Sequence, residues 1–188
     1  TPSTTWPTPA RACPMRNDIP TQLLFDEAAA IIDRVAAERL LPHERLALAR
    51  LHGRIAAQDA HAPIAQPPFD NSAMDGYALR HADLLHDSDT ALQLAGEQFA
   101  GRALGLRVDE GQCIRITTGA PMPEGADTVV IREVVRVEGD RIVVPANVAR
   151  GANVRHAGED VQVGDRVLEA GHVLTPARVA TLASVGID

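Results

Sequence analysis

The run Pro67-Pro68-Phe69-Asp70-Asn71-Ser72-Ala73-Met74-Asp75-Gly76-Tyr77-Ala78 constrains this chain more than any other stretch. Two prolines stiffen its entry, one glycine relaxes the backbone, and the chain's single tyrosine follows. Two carboxylates, an amide and a hydroxyl stand between them. Burying an unpaired carboxylate costs on the order of several kcal/mol or forces its protonation. Asp70 and Asp75 must therefore be solvated, paired, or arranged around a ligand. A segment that only filled a core would not have this composition.

The 188-residue chain is 45% hydrophobic, enough to bury a core in one or two domains. With aromatics at 3%, packing falls to Val, Ile, Leu and Ala. Net charge is -7 and no basic stripe interleaves with aromatics, which excludes a nucleic-acid binder that works by neutralising phosphates. All 18 basic residues are Arg, so lysine Schiff-base chemistry and the phosphate-binding P-loop are excluded. Cys13 and Cys113 lie in no metal-ligand spacing, and the seven His show no H-x-x-x-H pattern, so zinc is not expected. Ser72 has no G-x-S-x-G frame, which argues against a serine hydrolase. No run approaches the ~20 apolar residues of a membrane span, and the first residues lack the apolar core of a signal peptide. A reduced, cytoplasmic setting without a membrane partner is expected.

Residues 1–20 carry five prolines and no apolar periodicity, and read as a disordered extension. The pattern predicts a helix over Asp26–Arg39, with Ile31, Ile32 and Val35 on one face, acids in the first turn and Arg39 in the last. Leu46 and Leu48 suggest a short strand. Residues 60–158 read as β, with strands at Tyr77–Leu79, Leu92–Ala95, Cys113–Thr117, Val129–Val137 and Ile142–Val144. Val134–Val144 reads as a hairpin turning at Glu138-Gly139-Asp140. Gly164–Leu174 looks like two short strands around a Gly-containing turn. Thr175-Pro176 opens a second helix, with Gly186 as its stop. The expected class is α+β, with an inserted β-rich, barrel- or sandwich-like domain and no doubly wound nucleotide fold.

Three clusters could carry chemistry. The first is Asp70–Ala78, with Asp70, Asn71, Ser72 and Asp75. The second is Arg115-Ile116-Thr117-Thr118-Gly119-Ala120-Pro121, where Thr117, Thr118 and Gly119 could form an oxyanion cradle of hydroxyls and free backbone N–H groups, or a plain strand-to-turn junction. The third is Arg155-His156-Ala157-Gly158-Glu159-Asp160, whose acids suit a hard cation such as Mg²⁺ or are merely solvated beside Arg155.

These three blocks resemble the MoeA family, the molybdopterin molybdenumtransferases related to the gephyrin E domain. The first block resembles the family signature. Arg115–Pro121 with Pro123-Glu124-Gly125-Ala126-Asp127 matches a second block, and Gly158-Glu159-Asp160 a third; the resemblance runs from Thr21 onward. It implies that residues 21–59 and 159–188 form one elongated, dimer-forming domain and that 60–158 form a β-rich insert. It further implies insertion of molybdate into adenylylated molybdopterin, with AMP release and Mg²⁺ assistance. The cleft would be shared with a later, MogA-like domain of a homodimer partner, absent from this sequence, so the isolated chain is expected to be inactive. The resemblance points first to Asp75, Thr118 and Asp160. Asp70, Asn71, Ser72, Thr117, Gly119 and Arg155 follow as substrate contacts, and Asp75, Glu159 and Asp160 are the candidate Mg²⁺ ligands. A non-catalytic scaffold of the same family and a stand-alone Mg²⁺-dependent phosphohydrolase are the competing readings.

Overall fold

The computed structural model describes residues 23–39 and 41–188. The disordered extension expected over 1–20 lies outside the described residues. The chain divides into two units, Thr1–Glu44 and Arg45–Asp188.

In the first unit, α1 spans Phe25–Ala37. The Glu27 carboxylate accepts the backbone N–H of Leu24 at 3.1 Å, satisfying a donor that the helix start leaves unpaired. Asp26 and Glu27 occupy the first turn as expected, but the helix ends before Arg39, and Arg34 is the basic residue of its last turn. No residue of α1 is buried, and Leu24, Phe25, Ile32 and Val35 are exposed.

The second unit is dominated by strands. In chain order these are β1 (Ala60–His61), β2 (Asn71–Ser72), β3 (Gly76–Leu79), β4 (Thr90–Gln98), β5 (Gln112–Ile116), β6 (Thr128–Ile131), β7 (Arg136–Glu138), β8 (Arg141–Val144), β9 (Val154–Arg155) and β10 (Arg166–Leu168), with α2 at Pro176–Ser184. Six of them make a curled sheet of order β6-β3-β5-β4-β8-β7. Only β4 and β5 run parallel within it. The pairs β2–β9 and β1–β10 form separate two-residue ladders.

Both faces of β3 are covered. Tyr77 and Leu79 pack with Leu92, Cys113, Val130, Ile142 and Val144, whereas Ala78 packs with Ile116, Ala120 and Val129. The period of two in side-chain direction divides these neighbours between two apolar layers. A further core gathers Ala56, Leu168, Leu174 and Leu182, with Leu48 and Leu51 against it. It holds α2, whose start is capped by Thr175 accepting from the Arg178 N–H at 3.4 Å.

Three local expectations are corrected. Leu46 and Leu48 do not form a strand; Leu48–Arg50 is one 3₁₀ turn that sets Leu48 and Leu51 onto the α2 core. The run Val129–Val137 is not continuous, because the Val134 N–H bonds to Ile131 O at 3.3 Å and turns the chain between β6 and β7. The strands expected around the turn at Gly171 do not pair with each other: β10 pairs with β1, and Val173 bridges Ile55. The β7–β8 hairpin forms as read, with Gly139 at φ +66.

Candidate active site

Backbone hydrogen bonds lace the three polar blocks together. Ser72 N–H donates to Ala120 O at 3.0 Å, Gly119 N–H donates to Ser72 O at 2.8 Å, and Ala73 N–H donates to Asn153 O at 2.9 Å. In the β2–β9 ladder, which the Ala73 bond extends, Asn71 stands opposite Arg155 and Ser72 opposite Val154. Strand β2 is thus the rib to which the Thr117–Ala120 loop and the Arg155–Asp160 turn are both attached.

Asp75 and Thr118 meet directly. The Asp75 Oδ1 accepts both the backbone N–H of Thr118 at 2.8 Å and its hydroxyl at 2.9 Å. These two bonds, first the backbone one, hold the Asp75 carboxyl below the usual carboxylate range, with smaller help from the Arg132 and Arg115 cations. Gly76 fixes where Asp75 sits. A Cβ added there would lie 2.1 Å from Val130 O and 2.9 Å from its carbonyl carbon, so only glycine lets β6 approach β3 this closely.

The two neighbours of β3 each carry an arginine into this place. Arg115 on β5 stands opposite Tyr77. Arg132 follows Ile131, the β6 partner of Gly76, and its backbone N–H donates to Asp75 O at 3.2 Å. Asp75, Tyr77, Arg115, Thr117 and Arg132 line a cleft of about 80 Å³. Each arginine also has a surface partner: Arg115 Nη1 contacts Glu97 at 3.1 Å and Arg132 Nε contacts Glu133 at 3.0 Å.

The other predicted residues form a second cluster. Asp70 Oδ1 accepts the Ala157 N–H at 2.7 Å and its Oδ2 sits 3.2 Å from His156 Nδ1. The Ala157 bond is the main reason that the Asp70 carboxyl lies below its ordinary range. Arg155 bonds Glu159 through Nε and Asp160 through Nη2, the latter at 2.7 Å. Glu159 is held low by Arg155 and by the His156 N–H, which it accepts at 2.9 Å. Asp160 does not line the Asp75 cleft. Ser72 is 1% exposed and donates its hydroxyl to Met74 O at 2.6 Å, so it shapes the turn that leads to Asp75. The Asn71 amide donates to Phe69 O at 3.1 Å.

Mg²⁺ prefers oxygen ligands in near-octahedral geometry and usually takes one or two carboxylates plus phosphates and water. Glu159 and Asp160 are both engaged by Arg155. Among the described residues no group of three His, Cys, Asp or Glu converges to hold a metal ion. Both Thr118 bonds fall on Oδ1 of Asp75. Among the described residues the side chains therefore offer such an ion single carboxylate oxygens and no three-ligand cage.

Residues 23–186 match the family described as MoeA N-terminal region (domain I and II). The chain belongs to the MoeA family. A molybdopterin molybdenumtransferase of Haemophilus influenzae is 43% identical over 145 residues, covering 77% of this chain and 35% of that protein. One from Synechococcus elongatus is 34% identical over 169 residues, covering 88% and 42% respectively. A crystal structure described as the molybdopterin biosynthesis MoeA protein of Pyrococcus horikoshii superposes with a TM-score of 0.73 at 38% identity, covering 77% of this chain and 39% of that one. This MoeA chain therefore spans well under half the length of these relatives.

Sequence reasoning missed Arg132 and gave Arg115 no role in this MoeA site. Arg115 had a visible signal, a charge interrupting the apolar run Cys113-Ile114-Arg115-Ile116. Arg132 had none: only the β3–β6 register brings it beside Asp75.

Proposed function

We propose that the protein carrying this chain inserts molybdate into adenylylated molybdopterin and releases AMP, and that the Asp75–Thr118 cleft is its share of the active site. The observation that carries this reading is the Asp75 carboxylate, fixed by two donors from Thr118 between Arg115 and Arg132 in a MoeA chain. A carboxyl held below its ordinary range is a weak base. This favours Asp75 as an orienting group and cation ligand over proton abstraction from the dithiolene. When bound, Mg²⁺ would neutralise phosphate charge, with Asp75 as its protein ligand. Asp160 and Glu159 act on Arg155, and Asp70 fixes the turn that carries all three.

The test replaces Asp75 by Asn in the protein that carries this chain and measures molybdenum cofactor by reconstitution of an apo-molybdoenzyme. Loss of insertion with unchanged circular dichroism is expected. Undiminished cofactor formation refutes the reading.

A homodimer, with part of the cleft supplied by the partner, belongs to the same proposal. The exposed apolar residues of α1 favour an assembly role for the first unit and keep a scaffold function in view. Light scattering on the purified chain separates the two states, and a strict monomer removes the scaffold reading.

A further inference from the structure

We infer that the cleft at the head of β3 takes a tetrahedral oxyanion on the guanidinium groups of Arg115 and Arg132, and not on the hydroxyls and N–H groups of the Thr117–Ala120 loop. The inference rests on the functional reading above and names which groups receive the anion.

All four backbone N–H groups of the loop and the Thr118 hydroxyl are already committed, and the Thr117 Oγ1 accepts the Ala100 N–H at 3.0 Å. Thr117 N–H donates to Gln98 O at 3.3 Å, Gly119 N–H to Ser72 O at 2.8 Å, and Ala120 N–H to Thr117 O at 3.0 Å. Thr118 gives both its N–H and its hydroxyl to Asp75. The Ser72 hydroxyl is buried on Met74 O. An oxyanion entering here would have to displace bonds that hold the loop to β2. That takes every backbone N–H out of the cradle which the Thr-Thr-Gly motif suggests on its own.

The arginines are placed differently. They come from the two strands that flank β3, so they approach Asp75 from opposite sides of one cleft of about 80 Å³. Each guanidinium carries five N–H donors in a planar fork suited to oxyanions. The contacts with Glu97 and Glu133 use one nitrogen of each, at side chains that are half exposed, where ion pairs are weak and readily exchanged for a multiply charged ligand. Once Glu97 and Glu133 are displaced, Asp75 opposes an anion with one charge against two cations, and its Oδ1 is already engaged by two hydrogen bonds.

Titration of the purified chain with sodium molybdate by calorimetry, at low ionic strength, tests this. Arg132→Gln and Arg115→Gln should each weaken binding about tenfold, the loss of one charge-assisted hydrogen bond. Arg136→Gln, whose partner is Asp89 on another part of the sheet, should bind as the parent does. Arg132→Lys keeps the charge but not the fork, and should fall between parent and Gln variant. Inorganic phosphate separates the two sources of the anion. Equal competition assigns the site to the phosphate group of a nucleotidyl substrate, and no competition assigns it to molybdate; either supports an oxyanion on the arginines. No binding of either anion, equal affinity in all four variants, or loss in Thr118→Val with retention in Arg132→Gln would overturn the inference. An inactive Asp75→Asn protein alongside unaffected arginine variants would sink this inference alone, whereas a fully active Asp75→Asn protein sinks the functional reading.

Discussion

Gly76→Ala is the substitution in which fold and site stand or fall together. The added methyl would sit 2.1 Å from Val130 O and 3.0 Å from the Ile131 Cα, and both are backbone atoms that no rotamer change can move. Strand β3 lies between β5 and β6, so relief requires β6 to move away from Gly76 and Tyr77. Overpacking a close-fitted site costs about 1–3 kcal/mol. Each ladder hydrogen bond stretched in the process removes roughly 1 kcal/mol more. The expected loss is therefore about 3 kcal/mol, read as a lowered urea midpoint at unchanged slope. Gly96→Ala in β4 is the control: its Cβ would meet only Leu106 Cδ1 at 3.6 Å, an ordinary contact, and its stability should change by less than about 1 kcal/mol. Because Arg132 leaves β6 directly after Ile131, the same displacement should also weaken the Asp75 cleft. Equal midpoints for Gly76→Ala and parent would refute the close-approach argument.

Thr118→Val removes the hydroxyl donor but keeps the N–H, the larger cause, so the Asp75 pKa should rise part of the way towards its ordinary value; a carboxyl titration followed by NMR that finds no rise removes the Thr118 hydroxyl as a cause. Asp127 accepts from His81 N–H at 2.7 Å, from the Thr128 hydroxyl at 3.1 Å and from Arg150 Nε at 3.0 Å. Burial raises its pKa, but these bonds together lower it further. A lowered folded-state pKa gives stability that is present above the unfolded value of about 3.9 and is lost as pH falls through the folded one. Asp127→Asn should thus cost about 1 kcal/mol at pH 7 and flatten the acid limb of the stability curve; an unchanged limb contradicts the bonding. Burial pushes the Cys113 thiol up to about 12, so it should resist alkylation at pH 8 until urea unfolds the chain; rapid labelling of the native state would contradict its place in the core.

What the sequence disclosed was local. The Thr175-Pro176 helix start and the Gly139 turn are read from residue chemistry alone, because cap and turn need only near neighbours. Local pattern marks only Leu92–Ala95 of the long β4, since its ends Thr90 and Gln98 become strand by pairing with β8 and β5. The leucines at 46 and 48 alternate like a strand, but Leu48 opens a 3₁₀ turn and packs on the α2 core instead. The same division holds for the site. Asp75 and Thr118 stand in recognisable motifs, while the arrival of Arg132 beside them depends on the β3–β6 register, which local pattern does not encode.

The most direct test is molybdenum anomalous scattering from crystals of the protein that carries this chain, soaked in molybdate. The account predicts a peak in the cleft between Asp75, Arg115 and Arg132 that vanishes in Arg132→Gln crystals. A peak beside Glu159 and Asp160, with none in that cleft, would contradict it.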